Sequence, residues 1–133
     1  MLAMTHEDIQ KLGASLRPIR QNALTSDDRD RIRRFWYQGD EPYFDVFFDF
    51  QGRDLIWFQF TFRGKSFTWY QNKGIETGLT NETQVTPDYY PSSKLIATHA
   101  QIDKNFMGLV RDILHTREDE YPFDRALQLF DIN

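Results

Sequence analysis

The chain has no cysteine, which excludes disulfides, thiolate nucleophiles and cysteine-ligated zinc or iron–sulfur sites. Histidine is scarce as well. His6, His99 and His115 stand singly, without the His-x-x-x-His or His-Glu-x-x-His spacing that brings two ligands to one helical face, so no metal site is expected. A long apolar run is also missing: nothing approaches the ~18 residues that a membrane-spanning helix needs. The N-terminus, Met1 to Asp8, lacks the basic and apolar stretches of a secretory signal. A cytoplasmic protein without membrane contact is the expectation. Positive charge is in deficit, with 16 Lys and Arg against 20 Asp and Glu for a net charge of −4, the wrong sign for a dedicated binder of phosphate backbones. A glycine-rich phosphate loop is absent too. Gly74 and Gly78 have neither the spacing nor the following helix, and they read instead as a bulge or strand break. No cofactor is expected.

What the chain does have is aromatic rings. Of its 133 residues, 16% are aromatic and 40% hydrophobic, enough for one ordinary core in a single domain spanning 1–133. Eight of the twelve phenylalanines fall between Phe44 and Phe67, where apolar residues alternate with polar ones. That is the pattern of strands with one covered face. Strands are expected at about 32–38, 43–50, 54–63, 66–72 and 75–80. Short connections between them indicate an antiparallel meander rather than a βαβ series. Helical spacing appears on either side. Thr5 is placed to cap a helix carrying Ile9, Leu12 and Leu16. Thr98, with Gln101 three residues on, suggests a helix over His99–His115 with Ile102, Phe106, Leu109, Val110 and Ile113 on one stripe. A last helix is expected after Pro122, with Phe123, Ala126, Leu127 and Phe130 in phase. The fold class is therefore α+β: a four- to five-stranded antiparallel meander with helices packed on its Phe-rich face.

Turn chemistry then sets an expected register. Gly64 at the first central position of Arg63-Gly64-Lys65-Ser66 suits a type II′ turn pairing Phe62 with Phe67, Phe60 with Trp69 and Gln59 with Tyr70. A three-residue loop at Gln51–Arg53 puts Phe48 opposite Ile56. One face then carries Phe44, Val46, Phe48, Phe50, Ile56, Phe58, Phe60, Phe62, Phe67 and Trp69. The other carries Tyr43, Asp45, Phe47, Asp49, Leu55, Trp57, Gln59, Thr61, Ser66, Thr68 and Tyr70. On this register Asp45, Gln59 and Tyr70 share one row, and Tyr43, Thr61 and Thr68 the next.

This mixed second face is the candidate binding surface, with Tyr43, Asp45, Trp57, Gln59, Thr61, Thr68 and Tyr70 as its site residues. Rings supply area while carboxylate, amide and hydroxyl groups fix orientation. Asp45 and Asp49 point the same way, yet four residues along a strand span ~13 Å, too far for a carboxylate pair or a shared ion. His99, at its expected helix start, could be oriented by Asp103 as a neutral base, and His115 at a helix end would favour the carbonyls there. Neither comes with a nucleophile or substrate. No catalytic residue is assigned. The sequence reading is a small non-catalytic binding or regulatory module that contacts a protein partner, or a second copy, through the second face or the edge near Arg33–Tyr37. One alternative is a small-molecule binder or enzyme with a pocket between this face and the unpatterned stretch Asn81–Lys94, which contains Tyr89-Tyr90. Another is single-stranded nucleic-acid binding through Arg29–Tyr37, where arginines run into Phe35, Trp36 and Tyr37.

Overall fold

Alternation between Ile32 and Thr80 folds into consecutive antiparallel strands. The computed structural model describes residues 4–20, 32–80 and 96–131. In chain order these form α1 (His6–Ser15), β1 (Arg17–Pro18), β2 (Ile32–Gln38), β3 (Asp45–Gln51), β4 (Asp54–Phe62), β5 (Lys65–Tyr70), β6 (Gly74–Thr80), β7 (Ile96–Thr98), α2 (Lys104–His115) and α3 (Tyr121–Leu127), followed by a 3₁₀ turn at Gln128–Asp131. The strands make one sheet in the order β1 to β7, each antiparallel to the next. The expected α+β meander is present, with seven strands among the described residues instead of four or five. The two extra strands are edge pieces of two and three residues, too short to show any period. The stretch Asn81–Lys94, with Tyr89 and Tyr90, lies outside the described residues, as do Arg29 and Arg31.

Pairing differs from the expected register at both hairpins. Between β4 and β5 the turn residues are Arg63 and Gly64, at φ 50° and 82°, the two positive values of a type I′ turn. Phe62 therefore opposes Lys65, Phe60 opposes Phe67, Phe58 opposes Trp69 and Trp57 opposes Tyr70. The expected pairs were two residues out of step, a shift that leaves every side chain on its assigned face. Between β3 and β4 the loop has two residues, Gly52 and Arg53, and an irregularity restores the phase: Phe50 opposes Leu55, whereas Asp49 opposes Trp57 and Phe48 opposes Phe58. Ile56 is the extra residue, as in a β-bulge. Leu55 consequently turns into the core at 6% exposed while Ile56 is only half-buried, the reverse of their expected places.

The Phe-rich face holds the core. Phe44, Val46, Phe48, Phe50, Phe58, Phe60 and Phe67 are fully buried, each stabilising the fold by about 1.5–3 kcal/mol relative to exposure. The helices cover this face: Phe106 of α2 meets Phe60, Phe123 of α3 meets Phe48, and Phe130 stacks on Phe67. In α2 the buried stripe is Phe106, Val110, Ile113 and Leu114. This helix starts later than expected, because Thr98 is taken by β7 and the His99 amide continues the pairing by donating to the Thr77 carbonyl (2.8 Å). Asp103 is the actual cap, accepting from the Phe106 amide at 3.0 Å. Gln101 and Ile102 precede the helix, and Ile102 stays 37% exposed. α1 opens as expected, with Thr5 and Asp8 forming a reciprocal capping box. Its other end is held by Arg117, whose Nη1 donates to the carbonyls of Gly13 (2.8 Å) and Leu16 (2.7 Å) while the rest of the guanidinium binds Glu120. A Cβ at position 13 would collide with Thr116, so glycine lets α1 lie against α2.

Candidate functional site

Opposite the core, period two lines up three rows across the second face. The first row is Arg34, Asp49, Trp57, Tyr70 and Gly74. The second is Trp36, Phe47, Gln59, Thr68 and Glu76, and the third is Gln38, Asp45, Thr61, Ser66 and Gly78. Asp45, Gln59 and Tyr70 therefore sit in three different rows, not one. The structure brings Trp57 beside Tyr70, Gln59 beside Thr68, and Asp45 beside Thr61. Tyr43 is not a strand residue: it lies in a turn before β3 at φ 62°, and its carbonyl accepts from Thr61 Oγ1 at 3.0 Å.

β2 supplies side chains that the candidate set lacked. Arg34 forks onto Asp49, Nε to Oδ1 at 2.7 Å and Nη2 to Oδ2 at 2.9 Å. These hydrogen bonds raise the Arg34 pKa further above its ordinary value, against the opposing effect of its partial burial. The same guanidinium lies 5.1 Å from the ring centre of Trp57 and 5.7 Å from that of Phe47, a cation–π arrangement. Trp36 stacks on Phe47 with centroids 5.5 Å apart and planes 20° from parallel, and its Nε1 donates to Asp45 Oδ1 at 3.0 Å. Phe47 in turn leans on Trp57 at 6.0 Å. Lys73 stands 4.9 Å above the Tyr70 ring and 3.4 Å from Glu76. The result is a strip of four half-buried rings, Trp36, Phe47, Trp57 and Tyr70, held by cations on or beside their faces.

The polar groups of this face mostly bind one another. Asp45 and Asp49 are 2% and 8% exposed, and each takes its donor from β2, not from a shared ion. Gln59 Nε2 donates to Thr68 Oγ1 at 3.1 Å. Ser66 is different. It is 1% exposed, and its Oγ is buried without a hydrogen-bond partner, which marks a spot where a small polar atom would be accommodated favourably.

The histidines do not assemble a site. Nδ1 of His99 lies 3.2 Å from Thr77 Oγ1, whereas Asp103 is spent on capping α2 and on an ion pair with Lys65 (3.6 Å). The expected His99–Asp103 couple is not formed. His115 faces Glu118 across one helical turn at 3.2 Å. Among the described residues no cluster of three His, Asp or Glu could hold a metal ion, and no helix is long and apolar enough to cross a membrane.

Arg34 and Trp36 were detectable in principle, since alternation in Ile32–Gln38 already puts them on one side of β2. What hid their partners was the connection from β2 to β3. Gly39 donates its amide to the Phe44 carbonyl at 2.9 Å while the Phe44 ring fills the space a Cβ would need. Nothing local announces that closure. No family model, no curated protein and no solved structure matches this chain.

Proposed function

We propose that this chain is a small non-catalytic binding or regulatory module that meets another protein through the second face of its sheet. The observation that carries the reading is the strip Trp36–Phe47–Trp57–Tyr70 with Arg34 laid across it. Tryptophan, tyrosine and arginine are the residues on which protein interfaces concentrate their binding energy, and here they are half-buried on a rigid sheet. The ring faces are engaged within the molecule by a neighbouring ring, by Arg34 or by Lys73. That disfavours nucleobase stacking, which needs free ring faces, and favours a partner that packs against ring edges.

The test is a Trp57→Ala/Tyr70→Ala variant, checked for an unchanged circular dichroism spectrum and compared with wild type in cross-linking and partner capture. Loss of a specific cross-linked partner, or of self-association, is the expected outcome. A folded variant that keeps every partner removes this face from the interface. A second reading, a site for a small polar ligand on the same face, is favoured by the unpartnered Ser66 hydroxyl. Native mass spectrometry separates the two, because a retained small mass that is lost in Ser66→Ala supports the ligand.

A further inference from the structure

The border of this face is a strand edge whose backbone groups and charges suit one kind of partner. The Ile19 amide donates to the Trp36 carbonyl at 2.8 Å, so the peptide groups of Trp36 point toward β1. Alternation along an antiparallel strand then points the N–H and C=O groups of Arg34 and Ile32 the same way. β1 pairs only with Tyr37 and Gln38, and among the described residues no strand lies along Ile32–Arg34. The Ile32 side chain is 38% exposed at this place.

Charge surrounds the same edge. Arg33 is exposed, reaches the Gly52 carbonyl at 3.4 Å and covers the Phe35 ring. Arg53 follows Gly52 in the turn next to Gln51, the residue opposite Ile32. Arg20 is one residue beyond the Ile19–Trp36 bond. All three are exposed and have no ion pair with any described residue, in contrast to Arg34 and Arg63, which are held by carboxylates. Pairing with a second copy would set Arg33 and Arg34 against the same residues of the other chain, and like charges directly opposite destabilise a sheet. An acidic strand meets neither obstacle.

We propose that the outer edge of β2 at Ile32–Arg34 accepts an extended, carboxylate-bearing segment of a partner protein as an added strand. This rests on the reading of the chain as a protein-contact module, and it adds the place and the chemistry of the partner. Backbone groups of Ile32 and Arg34 supply the hydrogen bonds, and Arg20, Arg33 and Arg53 select acidic side chains. The added strand would lengthen the aromatic face by one position beside Arg34 and Trp36.

The probe is an end-capped peptide of alternating glutamate and valine, with a lysine–valine peptide as control, titrated against the full chain at low and raised salt. Binding of the acidic peptide alone is expected, weakening with salt, together with slowed amide exchange at Ile32 and Arg34. Ile32→Pro removes an N–H that points away from β3, a substitution edge strands tolerate, and it should weaken binding by about tenfold or more. Arg33→Glu should do the same without touching the backbone. Trp57→Ala/Tyr70→Ala should bind the peptide as wild type does, so the edge and the face are scored separately. Absence of binding at low salt overturns the proposal and leaves the face reading untouched. Binding without amide protection at Ile32 and Arg34, or insensitive to Ile32→Pro, overturns it as charge attraction alone.

Discussion

Phe47 and Phe48 are adjacent in β3 and chemically identical, yet they do opposite things. Phe48 is fully buried, touching Phe58, Tyr37 and Phe123, in a layer closed by α3. Phe47 is half-buried between Trp36 and Trp57, under the Arg34 guanidinium. One face of the sheet is an apolar core in which each ring is enclosed by other rings. The other is a lattice of rings, charges and hydroxyls with their hydrogen bonds largely satisfied across strands. The comparison teaches that this second face is ordered well beyond what a solvated surface requires, since pinning long side chains costs entropy.

The largest test of that difference is the neighbouring pair itself. Phe48→Ala should cost about 3–5 kcal/mol, from lost transfer energy and the cavity left behind, whereas Phe47→Ala should cost about 1–2 kcal/mol because its ring is only half removed from water. Urea midpoints of the two variants measure this directly. Equal losses would mean that the second face is as closed as the core.

Next in size is the Arg34–Asp49 fork. Arg34→Ala leaves a carboxylate whose side chain is only 11% exposed without its partner, and should cost about 1–3 kcal/mol. Asp49→Ala should cost less, since the Arg34 side chain is 43% exposed and can be rehydrated. A double-mutant cycle with a coupling near zero would reduce the fork to decoration. A third variant tests the turn that sets the rows: Gly64 has φ 82° with open space around it. Gly64→Ala should therefore lose about 1 kcal/mol through backbone strain alone, with the register unchanged in amide exchange.

The smallest effect lies at the exposed rim, where Arg63 forks onto Glu41 at 2.7 and 2.9 Å. Those hydrogen bonds hold the Glu41 carboxyl below its ordinary value of 4.5. A lowered carboxylate pKa stabilises the fold fully above the ordinary value, and the contribution disappears as pH falls through the lowered one. Thermal melts between about pH 6 and about pH 3 should thus fall less steeply for Glu41→Gln than for wild type. Identical slopes would show that the pair contributes nothing.

Much of this contrast was legible in the chain. Alternating Phe residues from Phe44 to Phe62 announced a covered face, and the residues between them announced the other. The turn at Arg63-Gly64 and the bulge at Ile56 were not legible. Glycine allows several turn types, and the choice depends on how the flanking strands twist together. Leu55 was misplaced for the same reason, because one extra residue reverses the phase of the two-residue period. Arg34 and Trp36 were missed as site residues because β2 joins β3 through an irregular loop closed by Phe44 packing on Gly39. The start of α2 moved because Thr98 was claimed by pairing with Gly78, a competition between a strand and a cap that local sequence does not express.

Sequence by itself determined which side of the sheet each residue faces, because strand geometry alternates strictly and a register error of two residues leaves that alternation intact. Tertiary structure decided who stands beside whom: Arg34 on Asp49 and Trp57, Trp36 on Phe47 and Asp45, Ser66 with no partner. The physical reason is that rows across strands depend on turn conformation, one bulge and an irregular closure, and each of these is chosen by packing between segments distant in the chain.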